Sequence, residues 1–323
     1  MLRPIFIGIA VCLSLLFAHS QTDHAVGEDL FEPKKDPFVS TLSFQLVGGM
    51  IILKATVDDQ TGNFILDSGS SHIIIHEKHF ENKMIQVSSY HSADLTGSTR
   101  KLKQTVVHFQ LGNILERNQT VFLMDLSNIE KSKNMKILGV IGYPFLKQFE
   151  VLIDYQERTL IFYSLDRKGE RKSKTSNDDF PDQTIPMEKT RHLLYLEASV
   201  GDHTLKLGID CGAEMSVLDK ESVRKIEDHF LPSHGVKVVA FHEEDLIVSA
   251  GSIEQLRIAG MNLDLSQVAV ININNINGYL NTELDGLLGY GFLSRHKIAL
   301  NYKKQTLAIW DPAWPLASTK KER

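Results

Sequence analysis

Residues 139–163 read GVIGYPFLKQFEVLIDYQERTLIFY, and residues 286–310 read GLLGYGFLSRHKIALNYKKQTLAIW. Gly139, Gly142, Tyr143, Phe145, Leu146, Tyr155, Thr159 and Leu160 each meet an identical residue 147 positions later. Upstream, IILKATVDDQTGNFILDSGSSHIII (51–75) lies over LYLEASVGDHTLKLGIDCGAEMSVL (194–218). There Asp67 meets Asp210 and Gly69 meets Gly212, 143 positions on. Solenoid repeats have periods of about 20–50 residues. This longer period indicates two copies of one unit of ordinary domain size. Between them runs DRKGERKSKTSNDDFPDQ (166–183), charged and nearly free of apolar residues, which reads as a solvated tether.

Within each copy the segments are short and rich in β-branched and aromatic residues. Leu53–Val57, Asn63–Leu66, Ile73–Ile75, Thr105–Leu111, Thr120–Met124, Val151–Tyr155 and Thr159–Tyr163 read as strands. Asp58-Asp59-Gln60-Thr61-Gly62 and Gln156-Glu157-Arg158 read as turns. In the second copy Leu194–Val200, Thr204–Ile209, Gln255–Ile258 and Lys297–Tyr302 behave alike, and Asp219–Phe230 is the best candidate for a longer helix. The expected class is mainly β, in two tandem lobes. The expected layout is a first lobe at 39–165, the linker at 166–183, a second lobe at 184–312 and a tail at 313–323.

The chain has 323 residues, of which 42% are hydrophobic and 23% charged. That is enough apolar surface for a real core and excludes a disordered chain. With 35 basic against 40 acidic residues there is no basic footprint for nucleic acid. Met-Leu-Arg, then an apolar run from Ile5 to Ala18, then Ala18-His19-Ser20 before Gln21, follow the plan of a secretory signal peptide over residues 1–20. Residues 21–38 form an N-terminal arm, and the mature protein is expected in the periplasm or extracellular space, off the membrane. Cleavage removes Cys12 and leaves Cys211 as the only thiol, so no internal disulfide is expected.

Each copy carries an Asp at the end of an apolar strand, followed by a small residue and Gly. The first has Phe64-Ile65-Leu66-Asp67-Ser68-Gly69-Ser70, and the second Leu207-Gly208-Ile209-Asp210-Cys211-Gly212-Ala213. Further on come Val140-Ile141-Gly142 and Leu287-Leu288-Gly289, apolar strands whose terminal Gly can lie against the Asp loop. A carboxylate emerging from a buried strand is costly unless hydrogen-bonded. Two such loops at matched distance from two such Gly elements resemble the retropepsin-like aspartic proteases, and the Gly-Tyr-x-Phe-Leu and final hairpin look like the bacterial branch of that family. The resemblance spans roughly residues 40–165 and 184–312.

The resemblance implies an endopeptidase with Asp67 and Asp210 as a catalytic pair. Each carboxyl would come from one lobe, as in pepsin-like enzymes, in a monomer acting on a peptide or protein substrate without a metal or cofactor. Ser68, Gly69, Ser70, Cys211, Gly212 and Ala213 would form the supporting loops, with Gly142 and Gly289 packed against them. In the family the residue after the Asp locks the loops by a bond across the lobes. Ser68 suits that role, whereas Cys211 is a weak donor and acceptor and departs from the pattern. Two alternatives remain open: a weakly active or inactive peptide-binding module with the same fold, and a pair formed between chains. Flap candidates are Ser92–Arg100 and Asp245–Ser252. His76-Glu77-Lys78-His79 has its histidines three apart, not four as in a zincin helix, so surface histidines after a strand and no metal are expected. No Gly-x-Ser-x-Gly elbow or phosphate-cradling Gly loop is present.

Overall fold

A computed structural model describes residues 4–5, 36–81, 86–93, 99–173, 180–238 and 246–310. Apart from Pro4–Ile5, the expected signal peptide lies outside the described residues, as do most of the arm and the tail. So do 94–98 in the first flap candidate, 174–179 in the linker, and Asp245, the start of the second flap candidate. The protein is mainly β, with barrel-like sheets.

The first sheet places its strands in the order 45–47, 50–57, 60–66, 137–141, 74–76, 114–124, 99–111, 86–93. A second contact, between Met50–Val57 and Thr99–Leu111, closes it on itself. Setting aside Pro4–Ile5 at its edge, the second sheet runs 230–238, 246–258, 261–271, 217–219, 286–288, 203–209, 193–200, 188–190. Read in reverse, that is the same succession, and it too closes, through Leu193–Val200 and Leu246–Ile258. In each, the strand before the Asp runs parallel to the strand ending in Gly: Val140 lies beside Ile65 and Leu287 beside Gly208. The pairing is parallel because the two strands are joined by a long excursion, not a hairpin.

A third sheet of six strands takes three from each half of the chain: 183–186, 306–310, 297–301, 149–154, 159–164, 39–43. At its centre Phe149–Asp154 runs antiparallel to Lys297–Asn301, with Leu152 opposite Ala299. The inward faces of these strands join one apolar core with residues of both barrel-like sheets, among them Phe64, Phe145, Phe162, Leu207, Phe292 and Ile309. Phe145 meets Phe109, Phe149 and Phe162 at ring separations of 5.2–5.8 Å, a spacing aromatic rings favour.

Three local differences from the sequence reading have physical causes. Asp219–Phe230 is not one helix. Asp219 caps Lys220–Lys225 by accepting the Glu221 N–H at 2.8 Å, a 3₁₀ turn follows at Glu227–His229, and Phe230 begins a strand. The pairing of Phe230 with Ile253 recruits that end into the sheet. The start of the linker is not a free tether either. Arg171 lies 3.7 Å over the Tyr163 ring and pairs with Glu150 at 2.6 Å, while Gly169 O accepts from Asn301 Nδ2 at 2.9 Å. These bonds dock residues 166–173 onto the six-stranded sheet. The far end, Gln183–Pro186, is itself a strand of that sheet. Finally, the strands are longer than their apolar cores. The expected strand Thr105–Leu111 extends to Thr99–Leu111, because hairpin pairing carries polar residues into the ladder.

Candidate active site

Leu66 and Ile209 are fully covered, and the chain turns sharply after each. The Asp67 N–H bonds Ile141 O at 3.0 Å and the Asp210 N–H bonds Leu288 O at 3.0 Å, so each loop is tied to its Gly-ended neighbour. Ser70 N–H returns to Asp67 O, and Ala213 N–H to Asp210 O, closing the two turns. Tyr143 N–H then bonds Ser70 O at 2.9 Å and Tyr290 N–H bonds Ala213 O at 2.8 Å. A side chain at Gly142 would meet His72 O at 2.1 Å, and one at Gly289 would meet Ala213 O at 2.6 Å. Both glycines are demanded by close backbone approach.

The two carboxyl groups are brought together, and both residues are buried. Asp67 is 2% exposed and Asp210 is fully buried. The Gly69 N–H reaches Asp67 Oδ1 at 2.8 Å and Asp210 Oδ1 at 3.2 Å, so one donor serves both carboxyls. Gly212 N–H donates to Asp210 Oδ1 at 2.9 Å, and Asp210 Oδ2 has no hydrogen-bond partner among the described residues. Burial pushes the Asp67 pKa up to about 6, against the favourable bonds from Gly69 and Ser70. Burial first, and then the neighbouring Asp67 charge, push Asp210 well above the ordinary carboxyl range. Two adjacent carboxyls so placed can hold one proton between them while the other stays ionised.

The loops are locked across the lobes by a four-bond grip. Ser68 Oγ accepts the Cys211 N–H at 2.8 Å and donates to Ile209 O at 3.2 Å. Cys211 Sγ accepts the Ser68 N–H at 3.3 Å and donates to Leu66 O at 3.6 Å. Cys211 therefore takes the place expected of a hydroxyl, and sulfur's longer bonds complete the pattern. Burial pushes its thiol up to about 12, which keeps it a neutral donor and not a nucleophile.

Three groups that the sequence reading passes over also hold the site. From the second half of the chain, His192 Nε2 donates to Gly69 O at 2.9 Å and Tyr302 OH to Ser68 O at 3.5 Å. Tyr302 is visible in the sequence as an identity with Tyr155, but its role is not. The Tyr155 hydroxyl is buried with no hydrogen-bond partner among the described residues, so the two loops are not held alike. Lys133, at the end of helix Ser127–Lys133, pairs with Glu214 just after the Asp210 turn, both side chains almost wholly buried. A lysine at a helix end carries no sequence signal for such a pairing.

Gly212 gives a direct test of this packing. A Cβ there would lie 2.4 Å from Asp67 Cγ and 2.5 Å from its Oδ1. Gly212→Ala must displace the Asp67 carboxyl, so stability should fall by about 1–3 kcal/mol in urea titration. Any turnover that depends on Asp67 should fall at least tenfold.

No curated protein matches the chain. Residues 53–145 match the model of a family described as aspartyl protease, a stretch that holds the Asp67 loop and the Gly142 element. The match supports an aspartyl protease family, and with it a protease hydrolase.

Proposed function

We propose that the protein is an exported aspartic endopeptidase in which Asp67 and Asp210 activate one water molecule for attack on a peptide carbonyl. The observation that carries this reading is the shared Gly69 N–H, which lies within hydrogen-bond reach of both buried carboxyls. One carboxylate takes a proton from water as the other donates a proton to the carbonyl oxygen, and the pair titrates as a unit. The grip between Ser68 and Cys211 holds the carboxyls in register through that exchange. A substrate peptide binds extended, through its main chain. Pairing of Phe149–Asp154 with Lys297–Asn301 in one chain supports a monomer that needs no second copy to complete the site. Export to the periplasm or extracellular space rests on the pattern of residues 1–20. Among the described residues, no helix is long and apolar enough to cross a membrane.

The test is cleavage of a mixed peptide library by the purified mature protein across pH 3–8, with and without a statine-type inhibitor. The active state carries one proton on the pair. Burial raises both carboxyls, Asp67 to about 6 and Asp210 well above its ordinary value, and the protons leave in two steps that belong to the pair. The ratio kcat/KM should therefore follow a bell in pH displaced above the ordinary carboxyl range, rising as the pair loses its first proton and falling as it loses the second. Cleavage indifferent to the inhibitor, or fastest at the acid extreme, would contradict the assignment.

A further inference from the structure

We propose that His76, His79 and Glu130 form a binding site for one divalent transition-metal ion of the zinc class, sharing no atom with the carboxyl pair. The expectation of two surface histidines is corrected by the structure. His76 ends the strand Ile74–His76 and is completely buried, and His79 closes the 3₁₀ turn Glu77–His79 with only 16% of its side chain exposed. The two histidines do not share a helix: the strand end passes directly into one 3₁₀ turn, which brings the rings 4.7 Å apart at 74°.

Glu130, from helix Ser127–Lys133, completes the cluster. Its Oε1 is 2.7 Å from His79 Nε2 and its Oε2 is 3.4 Å from His76 Nε2, and one ligand atom from each of the three residues lies within 4.8 Å of the others. Bonds of about 2.0–2.1 Å to a tetrahedral zinc place neighbouring ligand atoms roughly 3.3–3.4 Å apart. The cluster is therefore close to a ligand shell before any ion arrives. His76 Nε2 has no hydrogen-bond partner among the described residues, although it is sealed from water. Such a buried nitrogen is costly and calls for an occupant. The Ile137 N–H fixes Glu130 Oε1 at 2.8 Å, the kind of outer bond that orients metal ligands. Ser127, Asn134 and Lys131 line an open concavity beside His79 and Glu130, which leaves room for a water as fourth ligand.

Two features hold the affinity down. The Leu126 N–H donates to His76 Nδ1 at 3.3 Å, and metal on Nε2 moves the ring proton to Nδ1, so this long bond is given up. Lys78, Lys131 and Lys136 also ring the concavity. A dissociation constant of roughly micromolar order is expected, weaker than closed four-ligand sites.

The experiment is calorimetric titration of the full mature chain with zinc chloride, beside thermal melting with zinc or magnesium. Wild type should bind one zinc per chain, and saturating zinc should raise Tm by roughly 5 °C. Magnesium, which prefers oxygen ligands, should leave Tm unchanged. His79→Ala and Glu130→Gln should each weaken zinc binding at least tenfold while melting cooperatively without metal. Cobalt(II) should give the intense visible bands of a tetrahedral site in wild type and not in either variant. No binding by wild type at 100-fold the expected dissociation constant would overturn the proposal. So would zinc binding that persists unchanged in both variants. Neither result bears on peptide cleavage, so the two readings fail separately.

Discussion

Asp67→Asn and Asp210→Asn should each lower kcat by about a thousandfold or more while making the protein harder to unfold at neutral pH. The kinetic half follows from division of labour. One carboxyl must accept a proton and the other donate one, and an amide does neither; loss of a general acid or base costs about 10²–10⁴ in rate. Because the groups act as a unit, the double variant should be little worse than either single one. The stability half follows from burial. Both carboxyls have folded-state pKa values raised above the ordinary 3.8, Asp67 to about 6. Between those values the folded state holds more protons than the unfolded chain, so stability falls as pH rises through the window and stays lower above it. Replacing Asp67 by Asn removes a burial cost on the order of 1–3 kcal/mol at pH 7 and almost none near pH 3.5. Kinetics with a cleaved peptide, and melting at both pH values, measure the two halves. Turnover surviving in either single variant would disprove a pair built from both loops.

The second large effect lies away from the chemistry. Glu214→Ala should destabilise the protein by about 3–5 kcal/mol, since it leaves the Lys133 ammonium buried without its carboxylate. Lys133→Met should cost a similar amount for the converse reason. Replacing both, as Lys133→Met with Glu214→Leu, should recover most of the loss, because a well-packed apolar pair often matches a buried ion pair. Urea unfolding of the three variants at pH 7 completes the cycle. If the double variant is as unstable as the sum of the singles, the pair is not coupled as the structure implies. Helix Ser127–Lys133 also carries Glu130, so this ion pair and the proposed metal ligand share one short element.

The parts of the molecule legible in the sequence are those with strong local chemistry. A carboxylate at the end of a buried apolar strand must be held by its neighbours, and a Gly is required where two backbones nearly touch. Asp67, Asp210, Gly142 and Gly289 therefore stand out without any knowledge of the fold. Partners set by long-range closure do not. His192 reaches Gly69 across 123 residues of chain, and nothing around His192 marks it. The pairing of His76 with His79 escapes the sequence for a different reason: the zincin spacing presumes two histidines on one helix, whereas here one ends a strand and the other closes the 3₁₀ turn after it. The helix expected at Asp219–Phe230 stops short because sheet pairing at Phe230 outweighs helical propensity. Cys211 is a departure on hydrogen-bonding strength alone, yet the loop geometry accommodates sulfur's longer reach.

The six-stranded sheet also governs how the chain can reach this state during synthesis. Its central strand, Phe149–Asp154, finds its neighbour Lys297–Asn301 only after some 150 further residues have been made. Until then Val151, Leu152 and Ile153 sit on a strand with one open side, the kind of edge that recruits other chains. A fragment ending before residue 297 should therefore collect in aggregates, whatever the soundness of its own barrel. Slow folding from such distant pairings is expected.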